Sequence, residues 1–312
     1  MLVVSMGRTW RARFGLAITW QVMEAQIASG YRQAMMKQAA STQTAHAQTG
    51  KVGDLIKEWR TRRRLSQLDL ALEAGVSQRH LSFVESGRSA PSRDMVETLS
   101  EHLGLPLRER NVLLLSAGFA PAFAERQLTD PSMNAARAAV ERVLKGYEPN
   151  PALAIDRYWN LVMANAAVGP LLGLVSDKAL LEGQINILKL SLHPGGLAPF
   201  INNLARWKSH VLWRLGEQIN VTCDPKLIEI ERELAAYPAP SAPKGKPWED
   251  ADAIALPFEL KLGDQLLSFI TTTTVFGTPA DVTLSELAVE AFFPSNPETA
   301  AAMQAMAKAR QN

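Results

Sequence analysis

Ser77, Gln78, Arg79 and Ser82 fall within one short stretch, with Phe83 next on the same helical face. Gln pairs bidentately with adenine and Arg with guanine, and each such pair is worth roughly 1–3 kcal/mol of discrimination between bases. That chemistry needs a helix entering the major groove N-terminus first, so that its first turn and outward face meet the base edges. Gln67 opens the preceding helical pattern, where free backbone N–H groups favour a phosphate. Arg62, Arg63, Arg88 and Arg93 are candidates for backbone contacts, which position a protein on a duplex without specifying sequence.

Five short helical patterns must hold these residues in place. The first is predicted over 52–64, with Leu55, Ile56 and Trp59 as its apolar stripe. Ser66 caps a second over 67–74, closed by Gly75, a residue that tolerates the left-handed C-cap. Ser77 caps a third over 78–86, closed by Gly87. Ser92 caps a fourth that ends at Gly104, and Pro106 precedes a fifth over 107–117. The Gly75-Val76-Ser77 connection has helix-turn-helix spacing. Ala71 is small where the next helix crosses, and Leu70, Val76, Leu81 and Val84 supply the core between the two.

The run SQLDLALEAGVSQRHLSFVESGRSAPS (66–92) resembles the DNA-binding domain of the Xre family, the Cro and lambda-repressor type. The shared pattern is a Gln opening the second helix, an Ala-Gly-Val-Ser turn, and an apolar–Glu–x–Gly ending to the third. The resemblance implies an all-α five-helix bundle that binds operator DNA as a dimer. It also implies a buried ion pair between Arg60 and Glu85, structural in role, joining the first helix to the third.

The chain has 312 residues, a formal charge of +2 and 47% apolar residues, the composition of a folded soluble protein. Charge is uneven: residues 1–50 carry +4, residues 51–110 carry +2, and the remainder −4. A basic front and an acidic back suit a nucleic-acid module fused to something else. A single cysteine, Cys223, excludes an internal disulfide and a cysteine-based zinc site. No apolar run reaches membrane-spanning length, so no membrane role is expected and the location is expected to be cytoplasmic, at the nucleoid. Residues 1–50 read as a flexible or mis-assigned extension, with a later start near Met35 or Met36 an alternative. Residues 51–120 form the DNA-binding domain and 121–150 a connecting helix. Residues 151–300 form a second domain and 301–312 its tail, while the proline-rich stretch 238–248 is an exposed loop.

Strands are expected over 152–156 and 160–164, around the Arg157-Tyr158-Trp159 turn. A third, 254–262, alternates, and Gly263-Asp264 signals a hairpin into 265–276. A last strand spans 287–293, with Glu286 and Glu290 facing away from Leu287, Val289 and Ala291, before a terminal helix near Pro297. Five antiparallel strands with helices between the second and third make an α+β domain. The phrases DRYWNLVMANAA, NILKLSLHPGGL and TTTTVFGTPADVTLSELAVEAFFP resemble the MmyB-like family, which fuses an Xre-type reader to a PAS-like sensor. That resemblance implies a pocket for a small apolar ligand such as a long-chain fatty acid. A helix over 197–220 places Phe200, Leu204, Trp207, Val211 and Leu215 on one face, with Lys208 at its edge. Those residues, with Trp159, Met163, Phe258, Phe269 and Phe276, are the pocket candidates, and all serve equally as ordinary core. Lys208 either snorkels to solvent or meets a ligand carboxylate at the pocket mouth.

No residue set supports catalysis. Self-cleavage needs a paired Ser and Lys, and no motif pairs them. His193 and His210 are too far apart for a strand-borne metal site, and His193 in His-Pro-Gly-Gly reads as a loop-ordering residue. No cofactor is expected. The reading is therefore a ligand-responsive, homodimeric DNA-binding regulator. The alternative is a constitutive DNA-binding protein whose rear domain only dimerises around a filled core.

Overall fold

A computed structural model describes residues 51–222, 224–241 and 256–311. The first fifty residues, Cys223, the larger part of the proline-rich stretch and the start of the expected third strand lie outside the described residues. The chain forms two compact units. The helical unit takes residues 51–130 together with Phe276–Glu286; the sheet-containing unit takes Pro131–Val275 and the residues from Leu287 onward. The segment 276–286, read from sequence as part of the rear domain, thus belongs with the helices.

Among the described residues, the first unit has five longer helices, α1 Val52–Arg62, α2 Gln67–Glu73, α3 Gln78–Glu85, α4 Arg93–His102 and α5 Leu107–Ser116, and a four-residue helix, Val282–Ser285, in its second segment. The serine caps form as the sequence requires. Ser66 Oγ accepts from Asp69 N–H while Asp69 accepts from Ser66 N–H, a reciprocal capping box. Ser77 and Ser92 accept from the amides of His80 and Met95. Gly75 adopts φ +65°, the left-handed conformation that ends α2 and turns the chain into α3. Ile56, Trp59, Leu70, Ala71, Leu81, Val84, Leu99 and Leu113 form one core, and Val76 packs half-buried at its edge.

Gly53 sets how closely α1 and α3 approach. A Cβ there would lie 2.1 Å from the Val84 carbonyl oxygen, so no other residue fits without moving a helix.

The second unit begins with α6 Asn134–Gly146 and holds a five-stranded sheet. Its strands are β1 Ala152–Ile155, β2 Leu161–Ala164, β3 Phe258–Leu262, β4 Gln265–Val275 and β5 Ala288–Pro294. Their order is β2-β1-β5-β4-β3, and every neighbouring pair is antiparallel. Between β2 and β3 the chain inserts α7 Ile187–Leu192, α8 Leu204–Thr222 and α9 Pro225–Ala236; α10 Pro297–Gln311 closes the unit. This is the α+β order expected.

Two local expectations are corrected. The long helix begins at Leu204 rather than near Leu197, because Ile201 bridges Leu260 and the Asn202 amide donates to Glu259 O, drawing that backbone to β3. Strand β4 ends at Val275, so Phe276 lies off the sheet, in the segment that joins the helical unit. Glu290, expected to face away from Val289 and Ala291, is 3% exposed and pairs with Arg214 of α8, so that face of β5 is covered as well.

Candidate functional site

In the helical unit, Ser77, Gln78, Arg79 and His80 are exposed on the first turn of α3, with Ser82 and Phe83 half-buried on the following turn. The Arg79 guanidinium lies 5.4 Å from the Phe83 ring centroid and that of Arg88 lies 5.9 Å from it. Two cations thus share one aromatic ring, a contact of about 0.5–1 kcal/mol at an exposed site.

Behind this face, polar side chains are fully engaged. Arg60 Nε and Nη2 donate to the two Glu85 carboxylate oxygens at 2.6 and 2.9 Å, and Arg60 Nη1 donates to Leu65 O. Glu85 is 6% exposed and also accepts from Gln67 Nε2 at 2.7 Å. The hydrogen bonds and charge of Glu85 hold the Arg60 guanidinium above its ordinary range, against the opposing effect of burial. One carboxylate therefore ties α1, α2 and α3 together and orients the amide of Gln67.

The other basic candidates differ in their commitments. Arg63 donates to Leu103 O and Gly104 O and so closes α4. Arg93 pairs with Glu97 and donates to Ala120 O, and Arg62 pairs with Glu58 one turn away. Arg88 is exposed, beside the recognition face.

A cation cluster that the sequence reading did not single out holds the segment 276–286 inside the same unit. Arg108 makes a two-pronged contact with Glu286 at 2.8 and 2.9 Å and reaches Glu125 at 2.7 Å. Burial opposes its charge, but both carboxylates outweigh that and raise its pKa. Arg126 pairs with Asp281, which is 1% exposed, and Val282 N–H donates to Ala124 O.

The sheet-containing unit has a cavity of about 70 Å³. An engineered apolar cavity that accepts benzene is about twice that, ~150 Å³, so a larger guest must displace lining side chains. Of the pocket candidates, Trp159, Trp207, Val211 and Phe258 line it, beside Leu153, Leu161, Leu188 and Phe292. Phe269 is buried in the core, and Phe200 and Leu204 pack against that core. Met163 is half-buried on β2 and Phe276 is off the sheet; none of these five is on the wall. Lys208 is also absent from it. Its Nζ donates to the carbonyls of Ala235 and Tyr237 and closes α9, so no ammonium waits at a pocket mouth.

Two charged residues on the wall escaped the sequence reading. Arg214 Nη2 donates to Glu290 Oε1 at 2.7 Å and to Thr273 Oγ1 at 2.9 Å; Thr273 Oγ1 donates to Glu290 Oε1 at 2.6 Å. The guanidinium also lies 4.7 Å from the Trp159 ring. A signal existed: Arg214 follows Trp207 and Val211 at helical spacing, which puts a cation on a buried stripe.

Trp159 is held at φ +65°, a left-handed conformation costing an aromatic residue about 1–3 kcal/mol. Asp156 imposes it, accepting from the amides of Tyr158 and Asn160 and from Asn160 Nδ2. Burial pushes that carboxyl's pKa up, against those hydrogen bonds. Trp159 Nε1 donates to Gln218, so turn and helix together fix the ring on the cavity wall.

His193 orders its own loop, accepting from the Gly195 amide at 3.0 Å. Among the described residues, no cluster of three or more His, Cys, Asp or Glu side chains could hold a metal, and no helix is long and apolar enough to cross a membrane.

Two family models match the chain. One, a helix-turn-helix, matches residues 56–110; the other, the MmyB-like transcription regulator ligand binding domain, matches residues 136–306. No curated protein matches.

Proposed function

The chain belongs to the MmyB-like transcription regulators and is a DNA-binding regulator with a ligand-binding domain; from that premise we propose how each unit works. Gln78 and Arg79 read base edges in the major groove, with Ser77 and Ser82 beside them, and the Arg60–Glu85–Gln67 network keeps α3 at a fixed angle. Arg88 and Gln67, with Arg62, Arg63 and Arg93 at the flanks, meet phosphates. A homodimer presents two such helices to a pseudo-palindromic operator, one helical turn apart. A small apolar ligand, fatty-acid-like in its hydrocarbon body, enters the cavity beside Trp159 and Trp207.

The observation that carries the reading is the exposed Gln78–Arg79 pair on a capped helix whose supporting polar groups are all engaged. A ligand acts by binding two arrangements of the half-sites unequally. Chain continuity suggests the route: β5, which brings Glu290 and Phe292 to the cavity, directly follows the segment that Arg108 and Arg126 hold in the helical unit.

The test is selection of bound sequences from a random duplex pool, followed by binding titrations across salt concentrations. A palindromic consensus with salt-dependent affinity supports operator reading; no salt-sensitive DNA binding overturns it. If lipid extraction of purified protein and thermal shifts with an apolar panel both give nothing, the constitutive alternative stands.

A further inference from the structure

We propose that the cavity's ligand is uncharged, an apolar body carrying a neutral oxygen such as that of an alcohol, ketone or ester, and that the Arg214–Glu290 pair excludes a free carboxylate. This rests on the ligand-sensing reading and narrows its ligand class.

Three side chains on the wall other than the tryptophans carry polar groups: Ser191, Arg214 and Glu290. Each is committed to the protein itself. Ser191 Oγ donates to Leu188 O. Arg214 donates to both Glu290 oxygens, at 2.7 and 3.4 Å, and the Thr273 hydroxyl completes the cluster. Glu290 is 3% exposed. The cavity thus meets a neutralised pair, not a free cation.

A carboxylate entering beside Arg214 must share the guanidinium with Glu290, placing a second anion against one cation that is already neutralised, which burial makes unfavourable. An uncharged guest leaves the pair intact and gains from the apolar wall. Trp207, one of the lining residues, has a buried Nε1 with no partner among the described residues, a single N–H donor that a guest reaches if the ring shifts. One donor suits one neutral acceptor oxygen; a carboxylate needs several.

The experiment uses the full chain and the probes octan-1-ol and octanoate, each titrated calorimetrically against wild type, Glu290→Gln and Glu290→Asp. In wild type the alcohol should bind at least tenfold tighter. An alcohol enters any apolar site more readily than an anion, so the ratio in the variants decides the matter. Glu290→Gln frees Arg214 of its anionic partner and should tighten octanoate at least tenfold while changing octan-1-ol by less than threefold. Glu290→Asp keeps the negative charge and should exclude octanoate as wild type does.

Octanoate binding wild type as tightly as the alcohol overturns the proposal. So does an unchanged ratio in a folded Glu290→Gln protein, or octanoate accepted by Glu290→Asp. Should Glu290→Gln fail to fold, the wild-type and Glu290→Asp ratios decide. If neither probe binds any variant, the ligand-sensing reading itself falls and takes this inference with it.

Discussion

The face of α3 and the wall of the cavity handle polar groups in opposite ways. On α3, Gln78 and Arg79 stand exposed while Arg60, Glu85 and Gln67 bond one another beneath them. Beside the cavity, Arg214 and Glu290 are themselves closed into a cluster with Thr273, and the rest of the wall is mostly apolar. A surface that reads a polar partner keeps donors and acceptors free and spends its buried charges on rigidity. A site for an apolar partner internalises its charges, because each unpaired one would cost more than a guest returns.

The largest effect tests whether the reading face depends on the packing beneath it. Gly53→Ala puts a methyl 2.1 Å from the Val84 carbonyl oxygen and forces α1 from α3. Overpacking of this kind costs about 3 kcal/mol, enough to lower the melting temperature of a helical domain this small by more than ten degrees. DNA binding should go with it while octan-1-ol still binds. Differential scanning calorimetry with a DNA titration checks this; wild-type stability would show that α1 and α3 need not meet so closely.

Next in size is Arg79→Ala. It should remove roughly 1–3 kcal/mol of preference, about 5- to 150-fold, at one base position per half-site and leave other positions unchanged. Affinities measured for every single-base operator variant check it. Uniform weakening would move Arg79 to the phosphates and erase the contrast between its free fork and the committed one of Arg214. Arg88→Ala should act in that uniform way. Affinity falls several-fold on all sequences, and the slope of log K against log salt loses about 0.9 per half-site.

The helical unit was legible almost to the residue, because its information is local. Ser66, Ser77 and Ser92 cap, Gly75 and Gly87 stop, and the apolar positions repeat with helical period. Gly53 was missed because nothing in its neighbours' types reveals a carbonyl arriving from α3. In the sheet-containing unit the strands could be read, but not which faces they bury. Glu290 alternates with apolar residues, which puts it on the opposite face of the strand without saying whether that face is covered. The sheet order places β5 between β1 and β4, a long-range fact that no local pattern carries. Lys208 misled for the same reason, since the carbonyls it closes lie more than twenty-five residues away on α9. The segment 276–286 reads from sequence as part of the rear domain, and only its ion pairs to Arg108 and Arg126 assign it to the helices.

The smallest effect probes the cavity side through His210, whose ring lies 5.6 Å from that of Trp207 and 6.3 Å from that of Trp213. Burial lowers its pKa below the ordinary value of 6.5; the Arg214 charge lowers it further and Glu290 opposes both. The folded protein therefore holds this imidazole neutral where the unfolded chain already binds a proton. Above about pH 7 both states are neutral and His210 is silent. As pH falls through 6.5 the unfolded chain gains the proton first, so stability declines until the folded pKa is passed. One proton limits that slope to about 1.4 kcal/mol per pH unit. His210→Gln should flatten the decline between pH 7 and 5 in urea unfolding curves and leave stability above pH 7 nearly unchanged. Disrupting the pair sharpens the comparison further. In Glu290→Gln the opposing charge is gone while Arg214 remains, so the decline attributable to His210 should extend to lower pH. If that extension is absent, Arg214 and Glu290 do not act on the ring as their positions require, and the cavity's charges are not closed on one another.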